Sequence, residues 1–83
     1  MLNTAELDRQ VSIRVDASGE HCPMPLLKTK RALNQLASGQ SVCVISTDSG
    51  SVRDIKAYAK QSGNELLAFF EENLNYIFYL KKA

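Results

Sequence analysis

Apolar and polar residues alternate through Val11-Ser12-Ile13-Arg14-Val15-Asp16, the period of a strand with one buried face. From Pro23 onward the period lengthens. Leu26, Thr29, Leu33, Leu36 and Ala37 recur at helical spacing, and Lys28, Lys30, Arg31 and Gln35 fall mostly elsewhere on the wheel. The spacing predicts a helix over 23–37, stopped by Ser38-Gly39. Ser41-Val42-Cys43-Val44-Ile45-Ser46 is short and β-branched, which reads as a more fully buried strand. Val52, Ile55 and Ala59 form the apolar stripe of a second helix that Ser62-Gly63 ends. Two further apolar runs, 65–71 and 75–80, flank the connector Glu72-Asn73-Leu74 and predict a hairpin. Asn73 suits a positive φ there.

The resulting order is β-α-β-α-β-β, an α/β (α+β) two-layer sandwich. Right-handed crossovers place two helices on one face of a mixed four-stranded sheet. The other face is expected to stay uncovered. Phe69, Phe70, Tyr76, Phe78 and Tyr79 cannot all lie under two short helices, so some aromatic surface is expected outside, as a docking patch. Residues 1–10 are polar and carry little pattern. They read as a flexible N-terminal tail or one loose helical turn, and residues 11–82 as a single domain.

A chain of 83 residues buries only about 60–65% of its unfolded surface, in a single core. It has no room for an enclosed substrate cavity, so its chemistry must lie at the surface or be completed by a partner. The net charge of +1 gives no global pull toward nucleic acid or membrane. Positive charge gathers in the helical segments, as Lys28, Lys30, Arg31, Arg53, Lys56 and Lys60. The longest apolar stretches are far short of a membrane span, and Met1-Leu2-Asn3-Thr4-Ala5-Glu6 lacks the features of a secretory signal. Two irregularly spaced cysteines do not make a disulfide scaffold, so a cytoplasmic setting is expected.

The chemistry concentrates in Gly19-Glu20-His21-Cys22-Pro23-Met24-Pro25, which holds both prolines of the chain. Proline is tolerated in the first helical turn. Placing Pro23 and Pro25 at the first and third helical positions makes Cys22 the N-cap. Its sulfur would then sit at the positive end of the helix dipole, which favours thiolate. The prolines also delete two N–H donors, so only a moderate lowering of the thiol pKa is expected. Cysteine caps helices poorly compared with Ser, Thr, Asp or Asn, which suggests that the sulfur itself is wanted. The plainer reading is a cysteine that merely caps a helix beside turn-forming prolines.

Other residues invite blander readings. Cys43, in mid-strand, reads as a buried structural thiol. His21 reads as a loop residue or a modest modulator of Cys22, because one His and two dispersed Cys cannot supply a four-ligand zinc site. Position 25 is proline, so thioredoxin-like Cys-x-x-Cys chemistry is absent. Asp48 and Asp54 read as helix caps, the latter in a Ser51-x-x-Asp54 capping box. The basic stripes, with Lys28, Arg31, Arg53 and Lys56, are solvated faces or a docking surface for an acidic partner.

Asp16-x-x-Gly19-x-x-Cys22-Pro23-Met24-Pro25-Leu26, followed by a basic helix, Gly39, a strand and Thr47-Asp48, resembles the TusA/SirA/YedF sulfur-carrier family. The resemblance runs over residues 11–82. It implies a fold similar to the C-terminal domain of bacterial translation initiation factor three. It implies that Cys22 accepts sulfane sulfur as a persulfide from a cysteine desulfurase and relays it to an acceptor protein. Destinations across the family include tRNA thiolation and molybdenum-cofactor maturation. By motif position, Pro23 and Pro25 shape the helix start, Asp16 and Gly19 shape the loop, and Met24 fills the variable place. Neither cofactor nor metal is implied, and direct nucleic-acid or membrane binding is not expected. The alternative function is a non-catalytic protein- or RNA-binding regulatory module with a structural Cys22.

Overall fold

A computed structural model describes residues 4–83. The elements run α1 (Thr4–Gln10), β1 (Val11–Ala17), α2 (Met24–Asn34), β2 (Ser41–Ser46), α3 (Gly50–Ser62), β3 (Glu65–Glu72) and β4 (Asn75–Lys81). The sheet order is β1-β2-β4-β3. β1 pairs with β2 in parallel, and β4 lies antiparallel to both β2 and β3. This is the expected mixed four-stranded sheet of an α+β fold.

The main core lies between the sheet and α2 and α3. Leu33 from α2, Ile55 from α3, Val42 and Val44 from β2, and Phe78 and Leu80 from β4 are fully buried there. Alternation along β2 and β4 sends the intervening residues to the opposite face. β1 shows how a bulge alters this. Its register slips between Val11 and Ile13, so these two residues pack on opposite faces although they are two apart. The slip between Leu66 and Ala68 in β3 likewise lets neighbours Leu67 and Ala68 share a face.

α2 is shorter than predicted. Its last turn gives way after Asn34 to turn-like bonds from Gln35 N to Ala32 O and Leu36 N to Leu33 O. α3 ends as predicted, with Gly63 in the left-handed region at φ 80°. Asn73 takes the expected positive φ of 51°, and Leu74 joins it at 65°, so two residues close the hairpin.

The reading of residues 1–10 as a flexible tail, and of the second sheet face as bare, is corrected by α1. Residues 1–3 lie outside the described residues. Residues 4–10 form a helix whose Leu7 is 2% exposed, packed with Cys43 and Tyr79 on the second face. Among its described residues Leu7 is the buried one, so the segment carries no repeating apolar stripe. Asp8, also on α1, accepts a 2.7 Å hydrogen bond from the Tyr79 hydroxyl and lies 3.4 Å from Arg14. Burial first, and then the hydrogen bond to Asp8, push the Tyr79 hydroxyl pKa up. Leu7→Ala is expected to cost about 2–3 kcal/mol in urea unfolding. An unfolding midpoint unchanged from the parent would restore the tail reading.

Of the hairpin aromatics, Tyr76, Phe78 and Tyr79 are buried and Phe69 is partly covered. Phe70 is exposed, edge-on to Tyr79. It borders an open groove of about 470 Å³ with Ile77, Glu71 and Glu72.

Candidate functional site

The parallel pairing of β1 and β2 decides where the chemistry gathers. Ala17 and Ser46 stand side by side at the carboxyl ends of these strands. The loop before α2 and the loop before α3 therefore leave the sheet together. Two bonds tie them. Gly19 N donates to Thr47 Oγ1 at 2.8 Å, and Cys22 N donates to Asp48 Oδ2 at 2.7 Å. Gly19 makes this approach at φ 78°, backbone that a side chain would strain.

Asp48 is itself braced. Its Oδ1 accepts from Gly50 N at 3.2 Å, its amide donates to Ser46 Oγ at 3.1 Å, and its carbonyl accepts from Ser51 Oγ at 2.6 Å. Ser46 and Ser51 are buried, 2.9 Å apart through their hydroxyls. The hydrogen bonds from Cys22 and Gly50 hold the Asp48 carboxyl below the usual range, and the charge of His21 adds to this. The N-cap of α3 is Ser49 rather than Asp48, but the Asp48 side chain takes the first amide of α3 and also anchors the Cys22 loop.

The N-cap of α2 is Pro23, not Cys22, and Pro25 sits at the second helical position. The prolines shift the helix start by one residue because Pro23 adopts φ −97° and ψ 12°, outside the helix. Cys22 is exposed, with a free thiol, and Sγ donates a 3.0 Å hydrogen bond to Asp54 Oδ2 on α3. Asp54 is therefore not the acid of a capping box. It reaches across to the thiol, with Arg53 Nε 4.0 Å from its other oxygen.

This reverses the expected ionisation. The hydrogen bond to Asp54 is the largest influence and pushes the Cys22 thiol pKa up. Desolvation and the charges of Asp54 and Asp48 add to it, and Arg53 opposes them. A carboxylate at hydrogen-bonding distance favours the protonated thiol. The helix dipole was expected to act on a capping sulfur, and this sulfur is one residue outside that position.

The remaining motif residues surround this centre. The Ser18 side chain first, and then its amide, which donates to Asp16 Oδ1 at 3.0 Å, lower the Asp16 pKa, and the amide bond closes the loop as expected. The His21 carbonyl accepts from Met24 N at 2.9 Å, and its ring acts on Asp48 rather than on the thiol. Pro25 is buried and Met24 is exposed. Lys28 pairs with Glu20 at 2.8 Å instead of standing out as a docking cation. Lys56 lies 4.3 Å from the centre of the Phe69 ring. Arg31 and Arg53 are exposed. Leu27, not singled out in the sequence, is 43% exposed one turn beyond the exposed Met24. Cys43 is buried on the far face, where burial pushes its thiol pKa up, as suits the structural role expected of it.

A family model described as sulfurtransferase TusA matches residues 13–82. The chain belongs to the TusA family. It is 47% identical over 79 residues to the sulfur carrier protein TusA of Allochromatium vinosum, covering 95% of this chain and 99% of that protein. It is 41% identical over 69 residues to the putative sulfur carrier protein YrkI of Bacillus subtilis, covering 83% and 92%. Among solved structures, the SirA-like protein from Desulfitobacterium hafniense superposes with a TM-score of 0.75 at 25% identity, over 83% of this chain and 95% of that one. The resemblance drawn from the Cys22 motif and the fold inferred from periodicity therefore agree with these relatives. No helix among the described residues is long and apolar enough to cross a membrane.

Proposed function

We propose that this TusA-family protein is a sulfur carrier that holds sulfane sulfur as a persulfide on Cys22. The observation that carries this reading is an exposed, free thiol on a braced loop, which two partners can reach in turn. The names of the relatives support it. In loading, the Cys22 thiolate attacks the outer sulfur of a donor persulfide. The new S–S bond forms as the donor's S–S bond breaks, and the donor leaves as a thiol after taking up a proton. In discharge an acceptor thiolate repeats the step on the outer sulfur of Cys22. Sulfane sulfur changes hands with no net redox change.

A cysteine desulfurase is the proposed donor and a downstream protein the acceptor. Transfer-RNA thiolation and molybdenum-cofactor maturation are the candidate destinations, and the cytoplasm is the proposed setting. The protein is a sulfurtransferase in the sense of a stoichiometric relay. The exposed Met24 and Leu27 on α2 supply apolar contact for a partner. Arg31 is the better placed of the basic residues for an acidic partner surface, since Lys28, Arg53 and Lys56 already have partners within the fold.

The test is loading by a cysteine desulfurase with cysteine as substrate, read as a mass gain of one sulfur atom. The parent is expected to load and Cys22→Ser to load nothing. Equal loading of the two would refute the proposal and favour a binding module with a structural Cys22.

A further inference from the structure

Two carboxylates and one cation bear on Cys22. Asp54 Oδ2 lies 3.0 Å from Sγ, and Asp48 Oδ2 lies 2.7 Å from the Cys22 amide nitrogen. The cation is Arg53, whose side chain is 90% exposed and which approaches only the far oxygen of Asp54. His21 lies near enough to Asp48 to act on its charge. This is an acidic surround for a group whose proposed cargo makes it an anion.

The empty and loaded states meet Asp54 differently. The empty thiol has a proton to give, and Asp54 accepts its hydrogen bond. A perthiol is a stronger acid than the corresponding thiol, because the neighbouring sulfur stabilises its anion. Near neutral pH the loaded group is therefore largely ionised while the empty thiol is not. Loading removes the hydrogen bond and sets a negative sulfur against a carboxylate. We propose that Asp54 is a positioning residue that biases Cys22 toward giving up its sulfur, by holding the empty thiol and repelling the loaded persulfide. This rests on the reading of Cys22 as a persulfide carrier.

The exchange balances without another reactant. An acceptor thiol plus the Cys22 persulfide anion gives the acceptor persulfide anion plus the Cys22 thiol. The bond from the acceptor sulfur to the outer sulfur forms, and the bond from Sγ to the outer sulfur breaks. The acceptor's proton passes to Sγ and restores the hydrogen bond to Asp54. Two unit charges about 4 Å apart in a water-like medium shift an equilibrium roughly five-fold. That is a useful bias for a carrier, since it favours release without preventing loading.

The test uses the full chain equilibrated with fixed ratios of glutathione persulfide to glutathione, with the loaded fraction at Cys22 read by intact mass and peptide mapping. Asp54→Asn is expected to raise the loading equilibrium several-fold near neutral pH. The difference from the parent should shrink at mildly acidic pH, where the perthiol is neutral. Asp54→Glu should restore part of the parent's behaviour. Asp54→Ser serves as a second charge-removing variant if Asp54→Asn does not fold. Equal partition in the parent and the charge-removing variants at every pH would overturn the proposal, and so would a difference independent of pH. A parent that loads no sulfur at Cys22 refutes the carrier reading itself, and that outcome is separate from a failure of the bias.

Discussion

Phe78→Ala is expected to remove a large share of the stability of the fold. Phe78 is fully buried in β4, an interior strand, between β2 and β3. Its ring centre lies 5.1 Å from that of Phe69, and it belongs to the same cluster as Leu33, Val44 and Ile55. Truncating a buried phenylalanine costs about 3–5 kcal/mol, because the transfer energy is lost and a cavity remains. A domain of 83 residues has about 4–12 kcal/mol in total. The second cluster, around Leu7, Cys43 and Tyr79 on the far face, is smaller and leaves most of the burial to the helix side. Urea denaturation followed by far-UV circular dichroism reads the loss. A midpoint close to the parent's would show that the helix-side core is not the main source of stability. Phe78→Leu, which keeps most of the volume, is expected to lose much less.

The second large effect concerns the reactivity of Cys22. Its thiol pKa is raised in the folded state, first by the hydrogen bond to Asp54. At a pH below that pKa the thiolate fraction is small, and removing the carboxylate lowers the pKa. Alkylation by iodoacetamide near pH 8 should therefore run several-fold faster in Asp54→Asn than in the parent. At strongly alkaline pH both thiols are ionised, and the advantage should vanish or slightly reverse, since a thiolate of lower pKa is a weaker nucleophile. The Cys22→Ser chain supplies the background rate of the buried Cys43. An equal or slower rate in Asp54→Asn near pH 8 would show that the hydrogen bond does not control ionisation. Urea-unfolded parent should titrate closer to an ordinary thiol, because the Asp54 contact spans 32 positions of sequence and vanishes on unfolding.

A raised thiol pKa suits the proposed role. A thiol held protonated beside a carboxylate resists stray oxidants and alkylators. A partner that brings a cation to Asp54, or draws its carboxylate aside, would release the thiolate at the moment of transfer. Arg53 beside Asp54 already opposes the rise in the thiol pKa, the direction in which a further cation would act.

Much of the architecture was legible because the signals were local. Strand alternation in 11–16, the helical stripe of Leu26, Thr29 and Leu33, and Gly63 as a helix stop each depend on a few neighbouring residues. The motif around Cys22 was equally local. The prolines marked the helix start to within one residue, and that residue mattered, since it separates a sulfur on the helix amides from a sulfur beside them. The sequence offered no more than a loose helical turn for α1, whose described contacts, such as buried Leu7 and the bond of Asp8 with a tyrosine 71 positions away, are long-range. Periodicity has little to detect in seven residues.

The sequence by itself determined the order of the elements from β1 onward and the mixed sheet with two helices on one face, and it singled out the Cys22 motif. It also determined the family, through a motif whose residues are consecutive or nearly so. Only the tertiary structure decided which groups surround the thiol. The parallel pairing of β1 with β2 sets the two loops side by side, and the packing of α3 on the sheet brings Asp54 to Sγ. Ionisation depends on distance through space, and sequence separation carries no measure of it. An expected lowering of the thiol pKa therefore became a raised one, although every residue involved was already in view.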